Sequence, residues 1–308
     1  MLPTPTFHHL HLNVQNPDAM IDFHLRQFAC TSKTTWGGMP ALQSPNNVLI
    51  LFDKVNAPPP TTPQSAIWHY GWHVTNVRRD LAQYQTRPEV KLLPLYTTEE
   101  GGYVLISSDT WAGIGGMLGL TKPQIADAKA NGTQAPGGGG FAYMQGPEQV
   151  LIEYMGDYPA DRFNHVHMYQ EDPFCAQLWY QKHLNAPVMA GRGSPTPMTE
   201  STCKVPRGPD RTWPALNREG MLRSPRAAVT FGDVAITWYA PQGDAPLVSS
   251  RGQLYDHIAF GVADLDAWVA KLKGEGVRFL EGPHKLGDTR AVMIEGPSRE
   301  ALELVEVK

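Results

Sequence analysis

The chain has 308 residues, 42% hydrophobic and 18% charged, with a net charge of −4 at pH 7. That length suits two domains of about 150 residues each. The acidic balance excludes a general nucleic-acid binder, no apolar run reaches the roughly 18–20 residues of a membrane span, and three scattered cysteines (Cys30, Cys175, Cys203) speak against a disulfide framework or a thiolate zinc site. The first residues, Met-Leu-Pro-Thr-Pro-Thr, have neither a basic n-region nor an apolar h-region, so a cytoplasmic protein is expected.

The pattern begins with a strand at 7–14 (Phe-His-His-Leu-His-Leu-Asn-Val), then a helix at 17–28 whose apolar residues recur at helical spacing. Strands follow at 31–36 and 48–53, and the Pro-rich 57–63 reads as a stiff linker. A second unit opens at 67–74 (Ile-Trp-His-Tyr-Gly-Trp-His-Val), with a short helix after Asn76, strands near 91–96 and 103–107, a Gly-rich insertion at 108–140 with a helical stretch at 123–130, and a strand at 150–155. The third opens at 163–169 (Phe-Asn-His-Val-His-Met-Tyr), with a helix at 172–184, a Pro- and Arg-rich insertion at 190–226, and paired strands at 229–239 around the Gly-Asp turn 232–233. The fourth opens at 255–262 (Tyr-Asp-His-Ile-Ala-Phe-Gly-Val); a helix at 264–273, capped by Asp264 and ended by Gly274, leads to strands at 277–280, 290–294 and 301–307.

Each unit therefore reads β-α-β-β-β, an α+β architecture. One such unit has a single apolar sheet face, so pairs must close into barrel-like domains. Consecutive pairing gives modules 1 and 2 in residues 1–157 and modules 3 and 4 in residues 158–308. The same chemistry occurs in each half: His9, His69 and Glu153, then His165, His257 and Glu303. Each His lies in an opening strand and each Glu in a closing one. Two imidazoles and one carboxylate form the ligand set of non-haem iron sites that keep positions open for substrate and oxygen. His11, His73 and His167 share strand parity with the ligands and could line the cleft, although ordinary buried polar residues are the commoner reading. His8, His24 and His183 read as structural or surface residues. No strand–Gly-x-Gly-x-x-Gly–helix context supports a nucleotide site.

At these residues the chain resembles the vicinal oxygen chelate superfamily, which includes glyoxalase I, fosfomycin- and bleomycin-resistance proteins and extradiol dioxygenases. The resemblance spans four modules and leaves out the two insertions. It implies a divalent metal held by His9, His69 and Glu153 and by His165, His257 and Glu303, with Fe(II) favoured and Mn, Zn or Ni as alternatives. Glyoxalase I-like enzymes add a carboxylate from the last strand of the first module; here Val-Leu-Ile-Leu-Phe-Asp (48–53) and Val-Ala-Ile-Thr-Trp-Tyr (234–239) carry no Glu there. Extradiol dioxygenases run from Gly-x-His through Tyr and Pro to the ligand Glu. The fourth module has Gly282-Pro283-His284, Pro297 and Glu303 but Met293 at the Tyr position; the second keeps Tyr143, Pro147 and Glu153. The resemblance thus makes His284 an acid–base or oxygen-stabilising group in one site and Tyr143 the polar neighbour in the other.

The expected activity is metal-dependent dioxygenation of a small catechol-like or 2-oxo substrate. A glyoxalase-like lyase or isomerase is the alternative enzyme, and a bleomycin-resistance-type binding protein the alternative from another class; two complete ligand sets weigh against the binder. The N-terminal set is slightly preferred for its extra histidines, Tyr143 and glycine-hinged flap, and the arginines of 190–226 could steer an anion, although a solvated loop is the simpler reading. Four modules need no partner chain to complete a site, so a monomer or a homodimer is expected.

Overall fold

The computed structural model describes residues 2–92, 112–113, 130–131, 140–156, 158–190, 198–206, 226–241 and 245–307. All but the last residue of the helical stretch expected at 123–130, the strand at 103–107, most of the Gly-rich insertion and Arg207, Arg211, Arg218 and Arg223 lie outside those residues.

Module 1 comprises β1 (Thr6–Val14), α1 (Pro17–Gln27), β2 (Ser32–Trp36), β3 (Met39–Gln43) and β4 (Leu49–Lys54). Module 2 comprises β5 (Ile67–His73), α2 (Val77–Tyr84), β6 (Lys91–Leu92), β7 (Ala112–Gly113), β8 (Gly140–Gln145) and β9 (Leu151–Met155). Module 3 comprises β10 (Arg162–Tyr169), α3 (Pro173–Leu184), β11 (Arg226–Phe231) and β12 (Val234–Tyr239). Module 4 comprises β13 (Tyr255–Val262), α4 (Leu265–Gly274), β14 (Phe279–Leu286), β15 (Thr289–Glu295) and β16 (Ala301–Glu306). Asn16, Asn76 and Asp264 each cap a helix by accepting from the backbone N–H three residues on.

The modules do not pair within the halves 1–157 and 158–308. One sheet runs β14-β15-β16-β13-β1-β4-β3-β2, joining module 4 to module 1; the other runs β11-β12-β10-β5-β9-β8-β6, joining module 3 to module 2. The opening strands meet antiparallel at the centre of each sheet, β1 with β13 and β10 with β5. Every opening strand carries the same alternation, so local pattern cannot choose its partner. The chain passes between sheets through 55–66 and 240–254, and described residues of the two connections lie side by side: Ser65 bridges Val248, and Leu254 N–H donates to the Pro60 carbonyl.

The core lies between the sheets. Phe7 stacks on Phe163, Tyr70 on Phe163, and Phe231 packs against Phe260 at 4.1 Å, uniting side chains of all four modules. Leu10, Leu12 and Val14 point into this core, whereas His9, His11 and Asn13 line the opposite face. Phe7 has the parity of His9 yet is a core residue, because β1 shifts register between them; β10 shifts identically between Phe163 and His165. A bulge there turns the aromatic inward and the imidazole outward.

Two further expectations are corrected. Gly282-Pro283 does not end a strand: β14 runs on to Leu286 as a sheet edge, with register shifts on either side of Glu281 that accommodate the proline and bring His284 onto the sheet. Cys175 and Cys203, 28 residues apart, form a disulfide between α3 and the 198–206 segment, and Cys30 is free. Scattered spacing hid a pair that only the packing of α3 brings within a Cα–Cα distance of 4.9 Å. The bond runs against the cytoplasmic expectation, since thiols stay reduced there. Among the described residues no helix is long and apolar enough to cross a membrane.

Candidate metal centres

Cross-pairing of the modules redistributes the six expected ligands. His9 joins His257 and Glu303 on one sheet; His69 joins His165 and Glu153 on the other. The two halves therefore exchange their first histidines, and the original sets His9–His69–Glu153 and His165–His257–Glu303 are not formed.

In the first centre His11 lies opposite His257 across β1 and β13, and Ala259 is opposite both His9 and, on β16, Glu303. His9 Nε2 and His257 Nε2 stand 3.4 and 3.7 Å from Glu303 Oε2. All three atoms are buried, and among the described residues none has a hydrogen-bond partner. Orphaned buried polar atoms are costly, and three converging on one point fit a metal ion. Separations of 3.4–3.7 Å are within the span of one ion bonded at about 2.0–2.2 Å to each donor. His11 stacks on His257 with ring centroids 4.4 Å apart.

The surrounding groups orient these ligands. His257 Nδ1 donates to Asp256 Oδ1 at 2.6 Å, which turns Nε2 toward Glu303. Asp256 in turn accepts from Arg251, the Gly252 N–H and Asn13 Nδ2. Burial alone lowers the pKa of His257, but the Asp256 hydrogen bond and Glu303 outweigh it and push it up to about 9. Burial, reinforced by His257, holds His11 down at about 3 and keeps His9 neutral. His8, assigned no role from sequence, contacts His9 Nδ1 at 2.8 Å; its signal was simple adjacency to a ligand.

This centre opens onto a cleft of about 540 Å³, lined by Met39, Leu286 and Met293 on its apolar side and Asp53, Arg251 and Glu281 on its charged side. His284 projects into it, 34% exposed, with Nε2 3.8 Å from Glu303 Oε1. On β4, Leu49 and Leu51 lie opposite His9 and His11, so that strand supplies no carboxylate beside the ligands; Asp53, opposite Asn13, lines the cleft further along.

The second centre is built differently. His69 Nε2, His165 Nε2 and His167 Nδ1 lie 2.9, 3.2 and 3.4 Å from Glu153 Oε2, and Tyr143 donates to the same oxygen at 2.9 Å. These five residues are at most 4% exposed. Burial works against ionisation of Glu153, but the histidines, His165 first, hold its pKa well below the usual carboxylate range. The equivalent of Tyr143 in the first sheet is Met293, each opposite its glutamate. His73 instead stacks on Tyr158, His24 joins Met20 and Tyr70, and His183 pairs with Glu275.

The sequence profile of the Glyoxalase/Bleomycin resistance protein/Dioxygenase superfamily matches residues 162–304. That segment belongs to this superfamily. The whole chain carries the superfamily's two-domain vicinal oxygen chelate fold. Glyoxalase I from Zea mays superposes with a TM-score of 0.62 at 13% identity, covering 98% of this chain and 92% of that one. A candidate dioxygenase from Bacillus subtilis subsp. subtilis str. 168 superposes with a TM-score of 0.56 at 12% identity, covering 99% and 86%. At such identities the likeness is one of fold. No curated protein sequence matches the chain at a significant level. Members of the superfamily include glyoxalases and dioxygenases, and two clusters of this chain have donor sets that could hold a metal: His69, Glu153, His165 and His167 on one sheet, and His9, His11 and His257 on the other.

Proposed function

We propose that the chain is a metal-dependent dioxygenase of the vicinal oxygen chelate type, acting on a small catechol-like or 2-oxo substrate in the cleft at His9, His257 and Glu303. The observation that carries this reading is His284, placed at the cleft beside a ligand set of two imidazoles and one carboxylate. Fe(II) is the metal such a set favours, and when bound it would act as Lewis acid and template for adjacent oxygens. Asp256 holds the His257 tautomer through Nδ1. His284, half-exposed and free of the ligand set, accepts or returns a substrate proton at Nε2. Met39, Leu286 and Met293 give an aromatic ring an apolar wall. Ring cleavage places both atoms of dioxygen in the product and needs no external reductant.

The alternative enzyme, a glyoxalase-like lyase, is supported by the likeness to Zea mays glyoxalase I. The leucines opposite His9 and His11 count against it, since they leave three protein ligands where that chemistry uses a further carboxylate. The test is oxygen uptake by the iron-loaded protein with a catechol panel, against disproportionation of 2-oxoaldehyde–thiol adducts under argon. The expected result is oxygen uptake that His284→Ala abolishes while metal content stays unchanged. Anaerobic turnover of the thiol adducts would replace this reading with the lyase. Ligand affinity unchanged by Glu303→Gln, with no turnover of either class, would leave a small-molecule binding protein.

A further inference from the structure

We propose that the second centre is a structural zinc site with four protein ligands, His69, His165, His167 and Glu153, and not a second copy of the cleft centre. The proposal does not depend on the reaction assigned to the cleft. Four donor atoms, one from each residue, lie within 4.8 Å of one another. Zinc bonds of about 2.0–2.1 Å give a tetrahedron with edges of about 3.3–3.4 Å. The edges from Glu153 Oε2 measure 2.9, 3.2 and 3.4 Å. His165 Nε2 is buried without a hydrogen-bond partner, while its Nδ1 donates to Asn164 Oδ1 at 3.0 Å and so leaves Nε2 as the free donor atom.

The two centres diverge at equivalent positions. His11 stacks on His257, whereas its counterpart His167 turns to Glu153. A second difference is Gly71, which occupies on β5 the place of Ala259 on β13: a Cβ at Gly71 would lie 2.1 Å from His165 Cε1 and 2.2 Å from Nε2. The missing methyl lets the His165 ring settle against the strand. Around the four ligands Trp68 packs on His69 at 4.3 Å, Tyr143 on His69 at 5.0 Å and Tyr239 on His167 at 5.2 Å. Among the described residues the centre offers four protein ligands walled by aromatics, which is the mark of structural rather than catalytic zinc.

The experiment uses the full chain carrying His257→Gln and Glu303→Gln, which leaves only His9 and His11 of the cleft donors, so that bound metal reports the second centre. Protein purified without chelator should retain about one zinc per chain, and exchange for Co(II) should give the intense visible absorption of a four-coordinate ion. Adding His167→Gln should weaken zinc binding by on the order of 100-fold or more, since losing even an outer partner of a ligand costs 10–100-fold. Tyr143→Phe keeps all four ligands but removes an outer partner of Glu153, so it should weaken zinc binding less than His167→Gln does. If His167→Gln fails to fold, the parent's melting temperature decides: it should fall on chelation and return with zinc. Zinc affinity unchanged by His167→Gln, a weak six-coordinate Co(II) spectrum, or a melting temperature indifferent to chelation would each overturn the proposal.

Discussion

Replacing Gly71 by alanine should damage one centre and spare the other. The new methyl would stand 2.1, 2.2 and 2.9 Å from Cε1, Nε2 and Nδ1 of His165, so the ring as a whole must leave. His165 is 2% exposed and hemmed in by His167, whose ring centroid is 4.1 Å away, and by His69 at 5.8 Å. Overpacking of this kind costs about 1–3 kcal/mol. For a chain of this size each kcal/mol lowers the melting temperature by about 2 °C, so a fall of roughly 2–6 °C is expected. Displacing one of the imidazoles should also weaken metal binding at Glu153 by at least about tenfold. The assay is thermal melting with and without chelator, alongside elemental analysis, for Gly71→Ala and for Gly261→Ala as control. A Cβ at Gly261 meets Thr6 Oγ1 and the Val307 methyls at 3.1–3.2 Å, a contact relieved by shifts of a few tenths of an ångström. Unchanged melting and unchanged metal content in Gly71→Ala would show that His165 has a second rotamer available and would refute the argument.

Asp256→Asn weakens the acceptor that holds His257 and should lower metal affinity at the cleft by about 10–100-fold while leaving the Glu153 centre intact, read by competition with a chelator. His24, buried between the Met20 carbonyl and the Tyr70 hydroxyl, has its pKa lowered by burial to about 4. A depressed histidine pKa contributes stability above the unfolded value of 6.5 that is lost as pH falls from there through about 4. The loss amounts to about 3 kcal/mol, and His24→Gln should flatten that part of a urea-unfolding pH series; an unaltered slope would count against it. Reducing the Cys175–Cys203 bond opens a loop of 28 residues and should cost about 3–4 kcal/mol on chain-entropy grounds, seen as a melting temperature several degrees lower in dithiothreitol and in Cys175→Ser. Melting that ignores the reductant would mean that the bond constrains little.

Much of this was legible in the chain. Period-two alternation around His9, His69, His165 and His257 places each histidine on a strand, because a strand sends successive side chains to opposite faces whatever lies beside it. The closing runs around Glu153 and Glu303 carry the same information, and repetition made four modules visible. Helix ends were equally local: Asn76 and Asp264 cap through side chains three residues from their targets. What the sequence could not express was partnership. β1, β5, β10 and β13 present interchangeable patterns, so which two meet depends on the path of the connections at 55–66 and 240–254 and on the aromatic core from Phe7 to Phe163. Only that choice put His9 with Glu303 and His165 with Glu153, brought Cys175 to Cys203, and made one centre a cleft and the other a walled cluster. Ligand identity was a property of strands; ligand grouping is a property of the packed sheets, since it rests on which opening strands pair, β1 with β13 and β10 with β5.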